Sequence, residues 1–462
     1  MMSAAANRSV VVGLGKTGAS CVRYLAKRGV AVSATDSRAA PPGLSAIGGL
    51  DGIAEIRLGG FDLSLLEGAT QLLMSPGVSL DEPIARAARA RGIEVLGDIE
   101  LFARSVRAPV VGITGTNGKS TVTSLVARMA EAAGRRVLAG GNLGEPALDL
   151  LEQPTPDLYV LELSSFQLET TWSLRLAAAV VLNVTPDHLD RYASVADYAR
   201  AKSRIFLSAA SAVLNADDPM VMVMGQAANR GAADRRAPDR GAEQRVLTFR
   251  VTPGDADYSL IQEGTASYLA RRGERLLETA RLKIAGRHNA ANALAALAVG
   301  EAAGLPMQAM LAALESFPGL AYRSQWVADA AGVRYVNDSK GTNVGATLAA
   351  VAGLAGPLVL IAGGQGKGQQ FAPLAAAFRG KVRHCVLIGT DAPALASALA
   401  GVCTTERAAD MPAAVRAASA AARPGDTVLL SPACASQDMF RDYRHRGDEF
   451  AACVLALSGT PA

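Results

Sequence analysis

No apolar run in this 462-residue sequence approaches the about 20 uninterrupted residues that a membrane-spanning helix needs. Mean hydropathy is positive at +0.20, but alanine supplies most of it, so no membrane span is expected. The five cysteines (Cys21, Cys385, Cys403, Cys434 and Cys453) are odd in number and form no Cys-x-x-Cys pair, which fits reduced thiols better than a disulfide framework. No Lys/Arg run is interleaved with aromatics, and 46 basic against 42 acidic residues leave a net charge of only +4. Nucleic acid is therefore not an expected partner. Met1 to Arg8 show no charged segment leading into a long apolar core, so a cytoplasmic location is expected. What remains is a long chain, 50% apolar with 46 glycines, too large for one typical core and expected to divide into two or three domains.

Short β-branched runs alternate with Ala/Leu-rich helical stretches throughout. Val10–Val12, Val110–Ile113, Leu158–Leu161, Val180–Leu182, Leu358–Ile361, Val386–Ile388 and Val428–Leu430 are continuous rather than alternating, as expected of strands covered on both faces. Nearly all end in a polar or glycine-rich turn, and open parallel sheets bind ligands at such strand ends. Breaks near Gly97 and at Phe317-Pro318-Gly319-Leu320 divide the chain into expected domains of 1–97, 98–319 and 320–462. Gly225 to Arg245, poor in apolar residues, reads as a mobile surface insertion without a role.

The strongest local signal is Val110-Val111-Gly112-Ile113-Thr114-Gly115-Thr116-Asn117-Gly118-Lys119-Ser120-Thr121, followed by a helical stretch. Strand, glycine loop, Lys-Ser and helix are the parts of a polyphosphate cradle. The loop N–H groups and helix N-terminus offer donors, Lys119 can neutralise β/γ oxygens, and Ser120 can hold Mg²⁺. The usual spacing needs glycine where Ile113 stands, so this is a variant loop in which Gly115 acts from a shorter spacing. ATP is the expected ligand.

Gly13-Leu14-Gly15-Lys16-Thr17-Gly18 also follows a strand, with Asp36 after the next one. That pattern matches a dinucleotide fingerprint. On these residues alone, an NAD-dependent oxidoreductase, another nucleotide diphosphate and a ligand-free packing turn all remain open. Glu162 ends the run Leu158–Leu161, and His188 follows another strand in Asn183-Val184-Thr185-Pro186-Asp187-His188. One sheet edge thus gathers a phosphate loop, a carboxylate and an imidazole, a plausible Mg²⁺–phosphate environment. On spacing alone, Lys202 reads as a solvated helix lysine.

Taken together, these residues resemble the Mur ligase family, from Val10 to about Phe450, and most closely its glutamate-adding members. The motifs that carry the resemblance are Gly115 to Thr121, Gly141-Asn142-Leu143-Gly144, Glu162 to Glu169, Asp187-His188-Leu189-Asp190-Arg191-Tyr192, His288 to Leu294, Asn337-Asp338-Ser339-Lys340-Gly341-Thr342-Asn343 and Leu430-Ser431-Pro432-Ala433-Cys434-Ala435-Ser436. The resemblance implies an α/β chain of three domains. They are a Rossmann-like N-terminal domain for a UDP-sugar, a central P-loop-type ATP-binding domain, and a C-terminal Rossmann-like domain for the incoming amino acid. It implies addition of D-glutamate to UDP-N-acetylmuramoyl-L-alanine through an acyl phosphate, with ATP and Mg²⁺, in peptidoglycan precursor synthesis by a monomer.

Carried over residue by residue, the resemblance gives Gly13, Leu14, Gly15, Lys16, Thr17, Asp36, Ser37, Arg38, Ser75, Pro76, Gly77, Asn142, Ser164 and Gln167 to the UDP-sugar. Gly115, Thr116, Asn117, Gly118, Lys119, Ser120, Thr121, Asn292, Arg323 and Asp338 go to ATP. Lys340, Thr342, Lys367, Ser436 and Tyr443 go to glutamate. Ser120, Glu162, His188 and Lys202 go to the metal, with Lys202 as a carbamate, and Lys119, Glu162, His188 and Lys202 form the catalytic group. Two departures from the family pattern bear on affinity. Gln365 stands where relatives often carry Asp, and Tyr322 where a His is frequent. Other Mur-type ligases, folylpolyglutamate synthetase and an L-glutamate-adding variant share the ATP chemistry, while an oxidoreductase and a non-enzymatic nucleotide switch are rivals of other kinds.

Overall fold

In the computed structural model, which describes residues 8–234, 244–284, 286–354 and 356–458, the continuous apolar runs become the central strands of three sheets. The first sheet is parallel, with β1 (Arg8–Val12), β2 (Ala31–Asp36), β3 (Ile53–Leu58), β4 (Gln71–Met74) and β5 (Glu94–Leu96) in the order β3-β2-β1-β4-β5. The chain reverses its winding between β1 and β4, the place where such sheets open a crevice.

The second sheet joins β6 (Val110–Thr114), β7 (Val137–Gly141), β8 (Leu158–Glu162), β9 (Leu176–Val181), β10 (Ala209–Asn215), β11 (Arg245–Arg250) and β12 (Tyr258–Glu263) in parallel. The antiparallel strands β13 (Ala266–Arg271) and β14 (Glu274–Glu278) extend its edge, giving β14-β13-β12-β11-β10-β9-β6-β8-β7. The third holds β15 (Gln325–Ala330), β16 (Val333–Asn337), β17 (Leu358–Gly363), β18 (Val382–Ile388), β19 (Thr404–Arg407) and β20 (Thr427–Leu430) in the order β15-β16-β20-β17-β18-β19. Only its edge pair β15–β16 is antiparallel.

One expectation fails. The segment read as an insertion from Gly225 begins inside a helix, Pro219–Asp234. Gly225 is packed so tightly that a Cβ there would lie 2.3 Å from Leu214 Cδ1. Low apolar content hid the helix because its buried face is carried by Val221 and Met224, ahead of the polar stretch. Residues 235–243 of that segment lie outside the described residues.

The first two sheets share an apolar core. One cluster runs from Leu14, Tyr24 and Phe102 to Tyr159 and Leu168, with the Phe102 and Tyr159 rings edge to face at 5.3 Å. Polar contacts reinforce this junction. Asp149 accepts from Ser20 Oγ at 2.7 Å and from Arg23 Nη2 at 2.8 Å, and Lys16 Nζ donates to the Gly144 carbonyl. Among the described residues, the core clusters of the third sheet contain only residues of the third unit. It meets the middle unit through polar contacts and through the packing of helix Val344–Gly353 near helix Arg287–Ala302.

Gly18 shows why the first loop needs glycine. A Cβ there would lie 1.8 Å from the Gly13 carbonyl oxygen, so helix Lys16–Ala26 can start against β1 only without a side chain. Gly18→Ala should destabilise the protein by at least about 2 kcal/mol through overpacking against rigid backbone. A thermal midpoint equal to that of the unsubstituted protein would refute this close approach.

Candidate active site

The first crevice is a cavity of about 440 Å³. Gly13, Gly15, Lys16, Thr17, Asp36, Ser37, Arg38, Ser75, Pro76 and Gly77 line it from the first unit, and Asn142 and Gln167 from the second. Phe61, Val78, Gly141, Gly144 and Pro146 complete the wall; none was singled out as a binding position. Leu14 is fully buried, and its N–H donates to Asp36 Oδ2 at 2.6 Å. Arg38 Nε and Nη2 donate to the two oxygens of the same carboxylate at 2.8 and 2.7 Å. Above all the Arg38 hydrogen bonds, against the opposing effect of burial, pull the Asp36 carboxyl down to about 2.

Ser164 does not line this cavity; it shapes it. Its hydroxyl caps the helix Ser165–Glu169 by accepting from Gln167 N, while Gln167 Oε1 accepts from Ser164 N at 3.1 Å. This capping box fixes the Gln167 amide. Its Nε2 donates to Asp98 Oδ2 at 2.9 Å.

The second cavity, about 270 Å³, lies between the middle and third units. Asn117, Gly118, Thr121, Asn292, Arg323 and Asp338 line it as expected of nucleotide contacts, and Lys340, assigned to the amino acid, lines it too. Asn183, Thr185, Asn215, Phe249, Asn289 and Gly345 also line it. Nothing in the sequence marked Asn215 or Phe249, because strand ends far apart in the chain converge here only through the order β11-β10-β9-β6.

Beside this cavity the phosphate loop gathers its cations. Gly115, at φ +150°, and Gly118, at φ +87°, bend the backbone so that carbonyls point back toward the lysines. Lys119 Nζ donates to the Gly115 and Thr116 carbonyls at 2.9 Å each, and Lys202 Nζ donates to the same Gly115 oxygen at 2.9 Å. Lys202 is 1% exposed, so the reading of a solvated helix lysine is wrong. Helix Val195–Ser203 turns it inward over the Tyr198 ring, with Nζ 4.4 Å from the centroid. Burial, and then the neighbouring Lys119, drive the Lys202 ammonium well below its ordinary pKa. Burial lowers Lys119 as well, opposed by Glu162 and Asp187.

Glu162 ends β8 and is 3% exposed. Its Oε1 accepts from Asn142 Nδ2 at 2.7 Å, while its buried Oε2 has no hydrogen-bond partner. His188 stands in the left-handed region at φ +55°, its ring edge-on to Phe166 at 5.0 Å. Among the described residues no three of His, Cys, Asp and Glu converge as a metal cluster. Any cation here must therefore also draw on Ser120, on phosphate oxygens or on a modified lysine. The orphaned Glu162 oxygen fits such a cation.

Across the cleft, Arg323 Nη2 donates to Ser120 Oγ at 3.0 Å. Asp338 is held by Ser431 Oγ at 2.8 Å and Ser324 N at 3.0 Å, and burial raises it to about 6. The Lys340 ammonium lies 3.8 Å from the Tyr443 ring centroid, and burial lowers it to about 8. Ser436 is buried, whereas Lys367 is exposed at φ +51°. Backbone bonds between Gln365 and Ala435 at 3.0 and 2.9 Å tie the Lys367 loop to the Ser436 loop; the Gln365 side chain is exposed. Tyr322 donates its hydroxyl to Asp448 at 2.7 Å, a contact within the third unit. Arg446, which no sequence signal singled out, is fully buried and joins Ser339 Oγ, Ser339 O and Cys434 O at 3.0, 2.8 and 3.1 Å. It clamps the Ser339 and Cys434 loops, which carry positions assigned above to the amino acid.

Three nucleotide-type α/β units, the middle one carrying a phosphate loop that the third one faces, define an ATP-site protein with a second crevice between its first two units. Models of the "Mur ligase MurD-like, N-terminal domain", the "Mur ligase middle domain" and the "Mur ligase, glutamate ligase domain" match residues 7–97, 113–300 and 322–434. The UDP-N-acetylmuramoylalanine--D-glutamate ligase of Nitrosococcus oceani is 53% identical over 97% of this chain and 96% of its own length. That of Methylococcus capsulatus is 49% identical over 98% and 95%. The crystal structure of UDP-N-acetylmuramate-alanine ligase from Thermotoga maritima shares the fold, with a TM-score of 0.61 at 18% identity, covering 97% of this chain and 99% of its own. The chain belongs to the Mur ligase family.

Asp98 gives this region a pH signature. It is 2% exposed, its Oδ1 has no partner, and burial raises its carboxyl from 3.8 to about 6. The folded state therefore holds this proton more tightly than the unfolded chain. The group's stabilisation is full below about 4 and is lost as pH rises toward about 6. Asp36 and Glu301, both lowered to about 2, act in the opposite sense but only at more acidic pH. Asp98→Asn should flatten the decline in thermal midpoint between about pH 4 and 6. A midpoint profile parallel to that of the unsubstituted protein would contradict it.

Proposed function

We propose that this chain joins D-glutamate to UDP-N-acetylmuramoyl-L-alanine with ATP, a cytoplasmic step of peptidoglycan precursor synthesis carried out by a monomer with domains 1–97, 98–319 and 320–462. The observation that carries the reading is the Arg323–Ser120 contact, which sets a cation of the third unit on the phosphate loop of the second. Support also comes from the two D-glutamate ligases, matched along nearly the whole chain.

The physical problem is to bring a carboxylate, a triphosphate and an amino acid with two carboxylates together. An oxygen of the alanyl carboxylate attacks the γ-phosphorus, the bond to the β–γ bridging oxygen breaks, and ADP leaves. The glutamate nitrogen then adds to the acyl carbon and loses a proton. Collapse expels inorganic phosphate and leaves the amide. Lys119, the loop amides and Arg323 stand where negative charge builds up.

The Asp36–Arg38 corner and the Gln167 amide hold the UDP-sugar; Lys340, Thr342, Lys367, Ser436 and Tyr443 hold glutamate. Ser120, Glu162, His188 and a carbamylated Lys202 would hold Mg²⁺, which when bound supplies positive charge beside the phosphates. The carbamate reading gains support from burial: a lysine driven toward its neutral form keeps the lone pair that attacks CO₂.

Purified protein should release phosphate only when UDP-N-acetylmuramoyl-L-alanine, D-glutamate, ATP and Mg²⁺ are all present, with L-glutamate and D-aspartate as poor substitutes. Rapid ATP hydrolysis without the amino acid would overturn the reading. Lys202→Ala should turn over at least about 10²-fold more slowly, as expected when one electrostatic contributor is removed, and recover in part with added short carboxylates. Full activity without any additive would dismiss the carbamate.

A further inference from the structure

We propose that Asn343 is a positioning residue that latches the third unit onto the phosphate loop; this rests on reading that loop as the ATP site. Asn343 is 4% exposed and caps helix Val344–Gly353, its Oδ1 accepting from Ala346 N at 2.8 Å. The same amide crosses the cleft. Its Nδ2 donates to Asn117 Oδ1 at 3.3 Å and to Asp187 Oδ2 at 3.2 Å, and Asn117 Nδ2 returns a bond to Asn343 Oδ1 at 3.4 Å.

Both ends of the contact are held. The Asn117 backbone is fixed on both sides: its N–H donates to Asn183 Oδ1 at 2.8 Å, and its carbonyl accepts from Asn183 Nδ2 at 3.1 Å. On the other side, Gly345 lets the first helical turn close against the loop, since a Cβ there would lie 3.0 Å from Thr185 Oγ1 and 3.4 Å from Asn117 Nδ2. Capping alone needs only a side-chain oxygen, and Ser, Thr or Asp supplies one. An amide is required where the same side chain must also donate to a carboxylate and to a second amide.

The latch lies where closure matters. Asn117 and Gly345 line the same cavity as Arg323 and Lys340. Among the described residues, the middle unit's apolar cluster takes in only Leu320 of the third unit, at its very start, so polar contacts of this kind bias its docking. Without the latch, fewer molecules have the amino-acid side of the site over the phosphates.

Asn343→Ser keeps the cap oxygen but is too short to reach Asn117 or Asp187. In the coupled phosphate-release assay its kcat/KM for glutamate should fall at least about tenfold, the worth of roughly one good hydrogen bond, with the thermal midpoint nearly unchanged. Combined with Asn117→Ala, it should add no more than about a further twofold loss beyond the worse single variant, as for two halves of one contact. A double variant showing the product of both losses, or Asn343→Ser with unchanged kcat/KM, would overturn the latch. Should Asn343→Ser fail to fold, Asn343→Asp takes its place, because it caps equally well and offers no N–H. Small-angle scattering with ATP alone should show the unsubstituted protein more compact than the variant, and equal compaction would count against the latch. If the unsubstituted protein released no phosphate, the functional reading would fall while the scattering comparison still decided the latch.

Discussion

Two ammonium groups, Lys119 and Lys202, point at a single carbonyl, that of Gly115. Buried positive charge without a counter-charge is expensive, and the loop meets that expense with bent backbone and a nearby acid, Glu162. The lowered affinities of both lysines for protons follow from this arrangement. A polyphosphate placed on this loop would add negative charge beside both ammonium groups. Much of the remaining architecture serves to hold this loop at the sheet edge and to carry substrates to it.

The chain joins its units in two different ways. The first two share apolar core and ion pairs, so the crevice between them is a fixed wall built from both. The third faces the middle unit mainly through polar side chains, among them Arg323 on Ser120 and Asn343 on Asn117. Interfaces of that polar kind favour relative motion. A ligase gains from such a division, with one corner built rigidly and another free to adjust.

Local geometry was legible wherever a motif sits in one turn. The phosphate loop, the Gly13–Gly18 turn, Glu162 at a strand end and the paired Ser164 and Gln167 all lie in contiguous segments, and the structure brings most of them to two cavities. Lys202 was not legible from spacing, because helical periodicity places a residue on a face without saying which face is covered. Asn343 was visible only as the last letter of a motif, and its importance depends on a contact with Asn117 across 226 positions. The helix through Gly225 was missed because its buried apolar residues, Val221 and Met224, lie ahead of the polar stretch.

The amino-acid order by itself determined the parallel α/β units, since continuous β-branched runs ending in glycine or polar turns have few other ways to bury both faces. It also determined which turns could receive phosphates, because glycine geometry and backbone N–H groups are local properties. The tertiary structure decided which strand ends meet, which lysines lose their water and which cations face each other across the cleft. Those outcomes depend on sheet order and on domain docking, and both arise from packing between residues far apart in the chain.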